Sequence, residues 1–237
     1  MSAQASARLT LLVMAKSPEP GRVKTRLCPP ATAEQAADLA AAALLDTIDA
    51  VAAFPAGQPV VALAGCLSRA ARSGELVAAL RGIPTPAQRG TDLGQRIAAA
   101  HVDAAALLPG RPTLQLGMDT PQVNADLLAA GAAPLLGDDR RDALDAVLGP
   151  AADGGWWVLG LRDPADAALV ADVPTSRSDT GERTLRALRG AGLRVGLLTE
   201  LTDIDTAADV QAVRRAAPGT RFAAAVDATP AVWARGC

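Results

Sequence analysis

The chain has 237 residues, 50% of them hydrophobic, and a formal net charge of −2. That is enough apolar chain for one sizeable core or one and a half, and the near-neutral balance excludes a general nucleic-acid binder, so basic character has to be local. Aromatic residues make up 2% with no tyrosine, which also disfavours a base-stacking platform. Cys28, Cys66 and Cys237 are too widely spaced for a disulfide framework or a zinc site and suit a reducing compartment. Met1 to Arg8 lacks the pattern of a signal peptide, and no apolar run reaches the length that spans a bilayer. The expected setting is the cytoplasm, with neither membrane nor nucleic acid as partner.

In chain order, Leu9 to Ala15 is a continuous apolar run, as for a strand buried on both faces. It runs into Lys16-Ser-Pro-Glu-Pro-Gly-Arg-Val-Lys-Thr-Arg26, where four cations fall within eleven residues beside two prolines and a glycine. Thr32 and Gln35 form a capping-box pattern, and Leu39, Ala43, Leu44, Ile48 and Val51 recur at helical spacing until Pro55-Ala-Gly57. Val60 to Ala64 reads as a second strand, Leu67 to Leu80 as a weaker helix, and Thr85 to Gly90 as a turn. Asp92 with Gln95 opens a helix to Leu108; Thr113 to Gly117 is a third strand, and Val123 to Ala130 a helix. Asp142 to Leu148 reads as extended, Trp156 to Leu161 as a strand, Asp179 to Arg189 as a helix and Leu193 to Leu198 as a strand. Thr206 and Asp209 cap a last helix that ends by Pro218. Alternating strands and helices predict an α/β fold with a mainly parallel sheet covered on both faces, interrupted by an antiparallel excursion near residues 138–150. No internal repeat or long linker divides the chain, so one domain is expected, with its core at about residues 9–217.

Three strand exits carry chemistry. The cationic loop follows the first strand, where α/β folds place ligands. Lysines as point charges and arginines as bidentate forks together suit a di- or triphosphate, and Gly21 lets backbone approach it. It is not a Walker A loop. Gly117-Met-Asp119-Thr-Pro121 follows the third strand, so Asp119 is either a cation ligand or a helix cap. Asp205, within Thr202-Asp-Ile-Asp-Thr-Ala-Ala-Asp209, could add a second carboxylate to the same cation, while Asp203 and Asp209 serve the turn and helix start. His101, the single histidine, lies at helical spacing from Ile97 and Ala104 and reads as structural.

Five stretches, in order, resemble the DUF2064 family of the glycosyltransferase-A-like nucleotide-diphospho-sugar transferase superfamily. They are Met14 to Leu27, Gln88-Arg-Gly-Thr-Asp-Leu-Gly94, Gly117-Met-Asp-Thr-Pro121, Asp153-Gly-Gly-Trp-Trp157 and Ser178-Asp-Thr-Gly181. The resemblance implies a Rossmann-like three-layer α/β/α sandwich acting on a nucleotide with Mg2+ or Mn2+. It places Lys16, Gly21, Arg22, Lys24, Thr25 and Arg26 on the nucleotide phosphates and Gln88 and Gly90 at the base. Asp119 and Asp205 take the metal, although Ala207 replaces the usual proline of the second aspartate motif. Asp153, Gly154, Gly155, Trp156 and Ser178 line an acceptor pocket, with one of Trp156 and Trp157 facing it and the other the core.

The activity expected is nucleotidyl transfer from a nucleoside triphosphate to a phosphorylated or phosphonate small-molecule acceptor, with pyrophosphate released. In that reaction Lys24, Arg26 and Asp119 carry the catalysis. The alternative is glycosyl transfer from a nucleotide sugar. A homodimer is compatible with the sequence, which requires none.

Overall fold

The computed structural model describes residues 8–137 and 143–233. Six strands form one sheet in the order β2-β1-β3-β5-β4-β6. They are β1 (Leu9–Lys16), β2 (Gly57–Ala64), β3 (Thr113–Leu116), β4 (Ala146–Pro150), β5 (Trp156–Leu161) and β6 (Val195–Leu197). β1 pairs parallel with β2 and β3, and β4 parallel with β6, while β5 is antiparallel to both β3 and β4. One strand is therefore reversed in an otherwise parallel sheet. The consequence is geometric: the carboxyl ends of the other five strands and the beginning of β5 share one edge.

Helices cover both faces, as a doubly buried sheet requires. α1 (Ala33–Ala53), α2 (Ser73–Ala79) and α4 (Ala125–Leu136) pack on one face against Leu9, Leu11, Val13 and Ala15. α3 (Leu93–Leu107), the 3-10 segment Pro164–Val170 and α5 (Thr180–Gly190) cover the other against Leu12 and Met14. The alternation along β1 is the period-2 projection of strand side chains. α6 (Ala207–Ala216), α7 (Arg221–Asp227) and α8 (Pro230–Trp233) pack on the outer side of α1, through Val210, Val213, Phe222, Val226 and Trp233. The packed core thus continues past residue 217. α1 is buried on two sides, and Ala36, Ala37, Ala40, Ala41, Ala42 and Ala43 allow both neighbours to approach closely. Alanine richness here is a packing device and not composition bias alone.

The predicted caps are present. Thr32 and Gln35 make both bonds of a capping box, as do Thr206 and Asp209, and the Asp92 side chain accepts from the Gln95 N–H. Other boundaries move for tertiary reasons. β2 begins at Gly57 because residues 57–59 pair with Leu9 to Leu11. The helix expected over 67–80 splits at Arg72, whose left-handed backbone (φ 51°) turns its guanidinium onto Asp38 of α1 in a bidentate pair at 2.7 and 2.8 Å. α4 runs to Leu136 with Pro134 inside it, and β4 starts at Ala146. Asp142, the expected start of that extended segment, lies outside the described residues. Among the described residues, no helix is long and apolar enough to cross a membrane.

Candidate active site

The shared sheet edge opens onto a cleft of about 510 Å³. Its floor comes from Met14 and Gln115, and its walls include Lys16, Asp119, Asp153 and Trp156. A second cavity of about 460 Å³ lies between the 16–22 loop and residues 63–65 and 87–90. Lys16, Ala64, Gln88 and Arg96 line both, so the two adjoin.

The second half of the cationic loop is held by two apolar anchors: Val23 is buried beneath α1, and Leu27 is fully buried on its outer side. Gly21 has φ +72°, in the region only glycine enters without cost. The Lys16 ammonium donates to the Arg22 carbonyl at 2.6 Å, and Arg22 reaches Glu19 at 3.6 Å. Thr25 and Arg26 are exposed, and Arg26 donates to Asp205 Oδ2 at 2.8 Å.

Lys24 turns the other way. Its ammonium is 2.6 Å from Asp119 Oδ2 and 3.4 Å from Asp205 Oδ1, joining the exits of β1, β3 and β6. Burial works against the Lys24 charge, but the charge and hydrogen bond of Asp119 and the charge of Asp205 outweigh it. The pKa therefore stays above the ordinary lysine value.

The sequence pairs Asp119 with Asp205; the structure links those two through Lys24 and brings two further carboxylates to Asp205. Oxygens of Asp153, Asp203 and Asp205 lie within 4.8 Å of one another. Burial, reinforced by the charges of Asp119, Asp153 and Asp205, pushes the Asp203 carboxyl up to about 6. The sequence predicts only a turn-forming role for Asp203. What identifies it is its place beside the β4–β5 turn, a long-range relationship with no local pattern. Asp209 does serve the helix start, accepting from the Thr206 N–H at 2.7 Å.

The Asp153–Trp157 and Ser178–Gly181 stretches converge too. Asp153 is exposed and its Oδ1 accepts from the Gly155 N–H at 2.7 Å, shaping the turn into β5. Gly154 has φ +87°, and a Cβ there would collide with the Ser178 carbonyl oxygen. At Gly181 a Cβ would lie 2.5 Å from the Gly155 carbonyl oxygen. Glycines on both sides bring the turn against the start of α5, and Ser178 stands exposed at the cleft. Trp156 is half-buried at the cleft and packs with the α3–α5 face. Trp157 is 2% exposed in the opposite core and donates to the Thr199 carbonyl at 2.9 Å.

Gln88 does more than line a cavity. Its amide donates to the Ala15 and Ala62 carbonyls, each at 2.9 Å, tying the ends of β1 and β2 together and leaving Oε1 as its remaining polar atom. Gly90, at φ +134°, packs against Gln95 at the rim of the second cavity. His101 is fully buried, its Nδ1 2.7 Å from Thr113 Oγ1, and burial lowers its pKa to about 4. It stands apart from the cleft.

The sheet order, single reversed strand and acidic and basic strand exits define a glycosyltransferase-A-like nucleotide-diphospho-sugar transferase fold. The chain belongs to the DUF2064 family, described as an uncharacterized protein conserved in bacteria, whose profile matches residues 47–177. A protein from Desulfovibrio desulfuricans G20, provisionally described as a nucleotide-diphospho-sugar transferase, superposes with TM-score 0.80 and 25% identity over 97% of this chain and 98% of its own. A cytidylyltransferase from Leptospira borgpetersenii serovar Hardjo-bovis shares the fold at TM-score 0.53 and 12% identity, covering 95% of this chain and 96% of its own. CMP:2-keto-3-deoxy-manno-octonic acid synthetase, solved with CTP, does so at 0.55 and 12%, covering 88% and 98%. No curated protein matches the sequence.

Proposed function

We propose that the protein is a nucleotide-dependent transferase that moves a nucleoside monophosphate from a nucleoside triphosphate to a phosphorylated or phosphonate small molecule, with Mg2+ or Mn2+ as cofactor. The observation that carries this reading is the meeting of Lys16, Lys24 and Arg26 with Asp119 and Asp205 at one sheet edge, with Arg22 on the adjoining cavity. Nucleotide-transferring relatives of the same fold support it.

The donor set suits a hard divalent cation. It is all oxygen, and burial together with the charges of the neighbouring carboxylates raises the Asp203 carboxyl to about 6. Asp119 and Asp205, with Asp153 and Asp203 beside them, are the residues that would hold it. A bound cation neutralises phosphoryl oxygens as charge develops on them.

The protein's own groups do the rest. Lys16, Arg22 and Arg26 bind and orient the triphosphate along the loop, the second cavity takes the base beside Gln88 and Gly90, and the acceptor lies along Trp156 and Ser178. An acceptor phosphoryl or phosphonyl oxygen attacks the α-phosphorus. The bond from that phosphorus to the bridging oxygen of the β-phosphate breaks, and its electron pair leaves with pyrophosphate. The loop cations stabilise that departing charge by placement.

Four cations favour a departing pyrophosphate over a bound nucleotide diphosphate, which ranks nucleotidyl over glycosyl transfer. The deciding experiment is pyrophosphate release from each nucleoside triphosphate, with Mg2+ and a panel of phosphorylated and phosphonate acceptors. Turnover that needs one triphosphate and one acceptor is expected. No pyrophosphate with any triphosphate, alongside cleavage of a UDP- or GDP-sugar, reverses the ranking.

A further inference from the structure

Lys24 has features that a simple phosphate-binding lysine does not need. Its backbone is left-handed, φ 47° and ψ 39°, a region costly for a residue with a side chain. Its neighbours are pinned, Val23 and Leu27 in cores on either side of α1, and the Leu27 N–H donates to the Lys24 carbonyl at 3.0 Å. The main chain therefore has little freedom, and it directs the side chain inward: Lys24 is 9% exposed, against 71% for Arg26 two residues on. The ammonium then sits between Asp119 and Asp205. A divalent cation on those two carboxylates would stand within a few ångströms of that ammonium, and the repulsion disfavours having both there.

We propose that Lys24 is the resident counter-ion of the cation site: it holds the place between Asp119 and Asp205 in the metal-free protein and yields it when a divalent cation arrives together with an anionic nucleotide that receives the freed ammonium. The proposal rests on the nucleotide-transfer reading above. Bare metal has to compete with a tethered ammonium; metal accompanied by triphosphate does not, because the phosphates take the lysine. Metal and nucleotide therefore enter as a pair. Without the pair, the ammonium keeps two neighbouring carboxylates from repelling each other.

The test is Mn2+ binding, followed by electron paramagnetic resonance, to wild type, Lys24→Met and Lys24→Arg. Each is measured alone and with a non-hydrolysable nucleoside triphosphate analogue. Lys24→Met should bind bare Mn2+ at least about tenfold tighter, as expected when a unit charge a few ångströms away is removed. Lys24→Arg should resemble wild type, and the analogue should bring wild type towards the methionine variant. Equal bare-Mn2+ affinity in wild type and Lys24→Met overturns the proposal and moves the cation to Asp153, Asp203 and Asp205. Absence of Mn2+ binding in all three proteins, with or without analogue, overturns the metal reading beneath it. If Lys24→Met does not fold, NMR of the lysine ammonium groups decides in wild type. The Lys24 signal should persist with Mg2+ alone and change with Mg2+ plus analogue; a signal indifferent to both sinks the idea.

Discussion

Gly181 donates its backbone N–H to the Gly154 carbonyl at 2.8 Å, so the start of α5 and the turn into β5 meet main chain to main chain. A methyl group at Gly181 would press on the Gly155 carbonyl and move Asp153 and Trp156 with the turn. Gly181→Ala should cost about 1–3 kcal/mol of stability, as overpacking does. It should also lower kcat/KM for the acceptor by about a hundredfold through misplacement, while nucleotide affinity measured by calorimetry stays near wild type. Equal losses on both substrates would contradict the division of the cleft.

Asp119 and Asp205 differ in what they hold. Asp119 bonds Lys24, while Asp205 bonds both Lys24 and Arg26. Asp119→Asn and Asp205→Asn should each reduce pyrophosphate release by about a hundredfold or more, the order of losing one preorganised charge at a reacting centre. Asp205→Asn should additionally weaken triphosphate binding, because Arg26 loses its anchor. Unchanged turnover in either variant would remove that residue from the machinery.

His101 predicts an acid-sensitive fold. Its pKa is about 4 in the folded protein against 6.5 for the free side chain, so between those values the unfolded chain binds the proton and the native one does not. Stability is full above about pH 6.5 and falls as pH drops towards 4, by roughly 3 kcal/mol at 1.36 kcal/mol per pKa unit. Asp203 works with the opposite sign, since its carboxyl is raised to about 6 and its contribution is lost as pH rises through that value. The difference between wild type and His101→Leu isolates the histidine. Urea denaturation from pH 4 to 7 should show a flatter pH profile for the variant, whose stability is also lower at neutral pH because the Thr113 hydroxyl loses its partner. Parallel profiles would refute the assignment.

Asp46 fastens α7 to α1, its carboxylate accepting the N–H groups of Arg221 at 3.0 Å and Phe222 at 2.9 Å. Burial raises its pKa, and these bonds only partly offset that. Asp46→Ala should cost about 1–3 kcal/mol by leaving those donors unpaired, lowering the midpoint of thermal unfolding without changing KM for either substrate. A change in KM would tie the outer helical layer to the cleft.

Local chemistry explains what could be read in advance. The capping partners Thr32–Gln35 and Thr206–Asp209, the apolar run of β1 and the glycine turn at Gly154 are written in adjacent residues, and each stands where the pattern puts it. The converging strand exits were legible because α/β topology dictates where loops after strands lie. Long-range pairing was not. Lys24 reaches Asp119 across 95 positions, Asp203 acquires its place only when β4 and β6 align, and the Gln88 amide is claimed by two strand carbonyls. α7 and α8, at seven and four residues, are too short to show a helical repeat, and they make sense only against the outer face of α1.

The reversal of β5 has a consequence for how such a cleft can diversify. The side with Lys16, Lys24 and Asp119 is built from loops that leave parallel neighbours, where altered length disturbs a crossover helix. The opposite side is the tip of an antiparallel pair, β4 and β5, whose register is fixed along the strands from Ala146–Leu161 to Gly149–Val158. Insertions at such tips cost little. A change at this tip would therefore alter the Asp153 and Trp156 side of the cleft while leaving the exits of β1 and β3 in place.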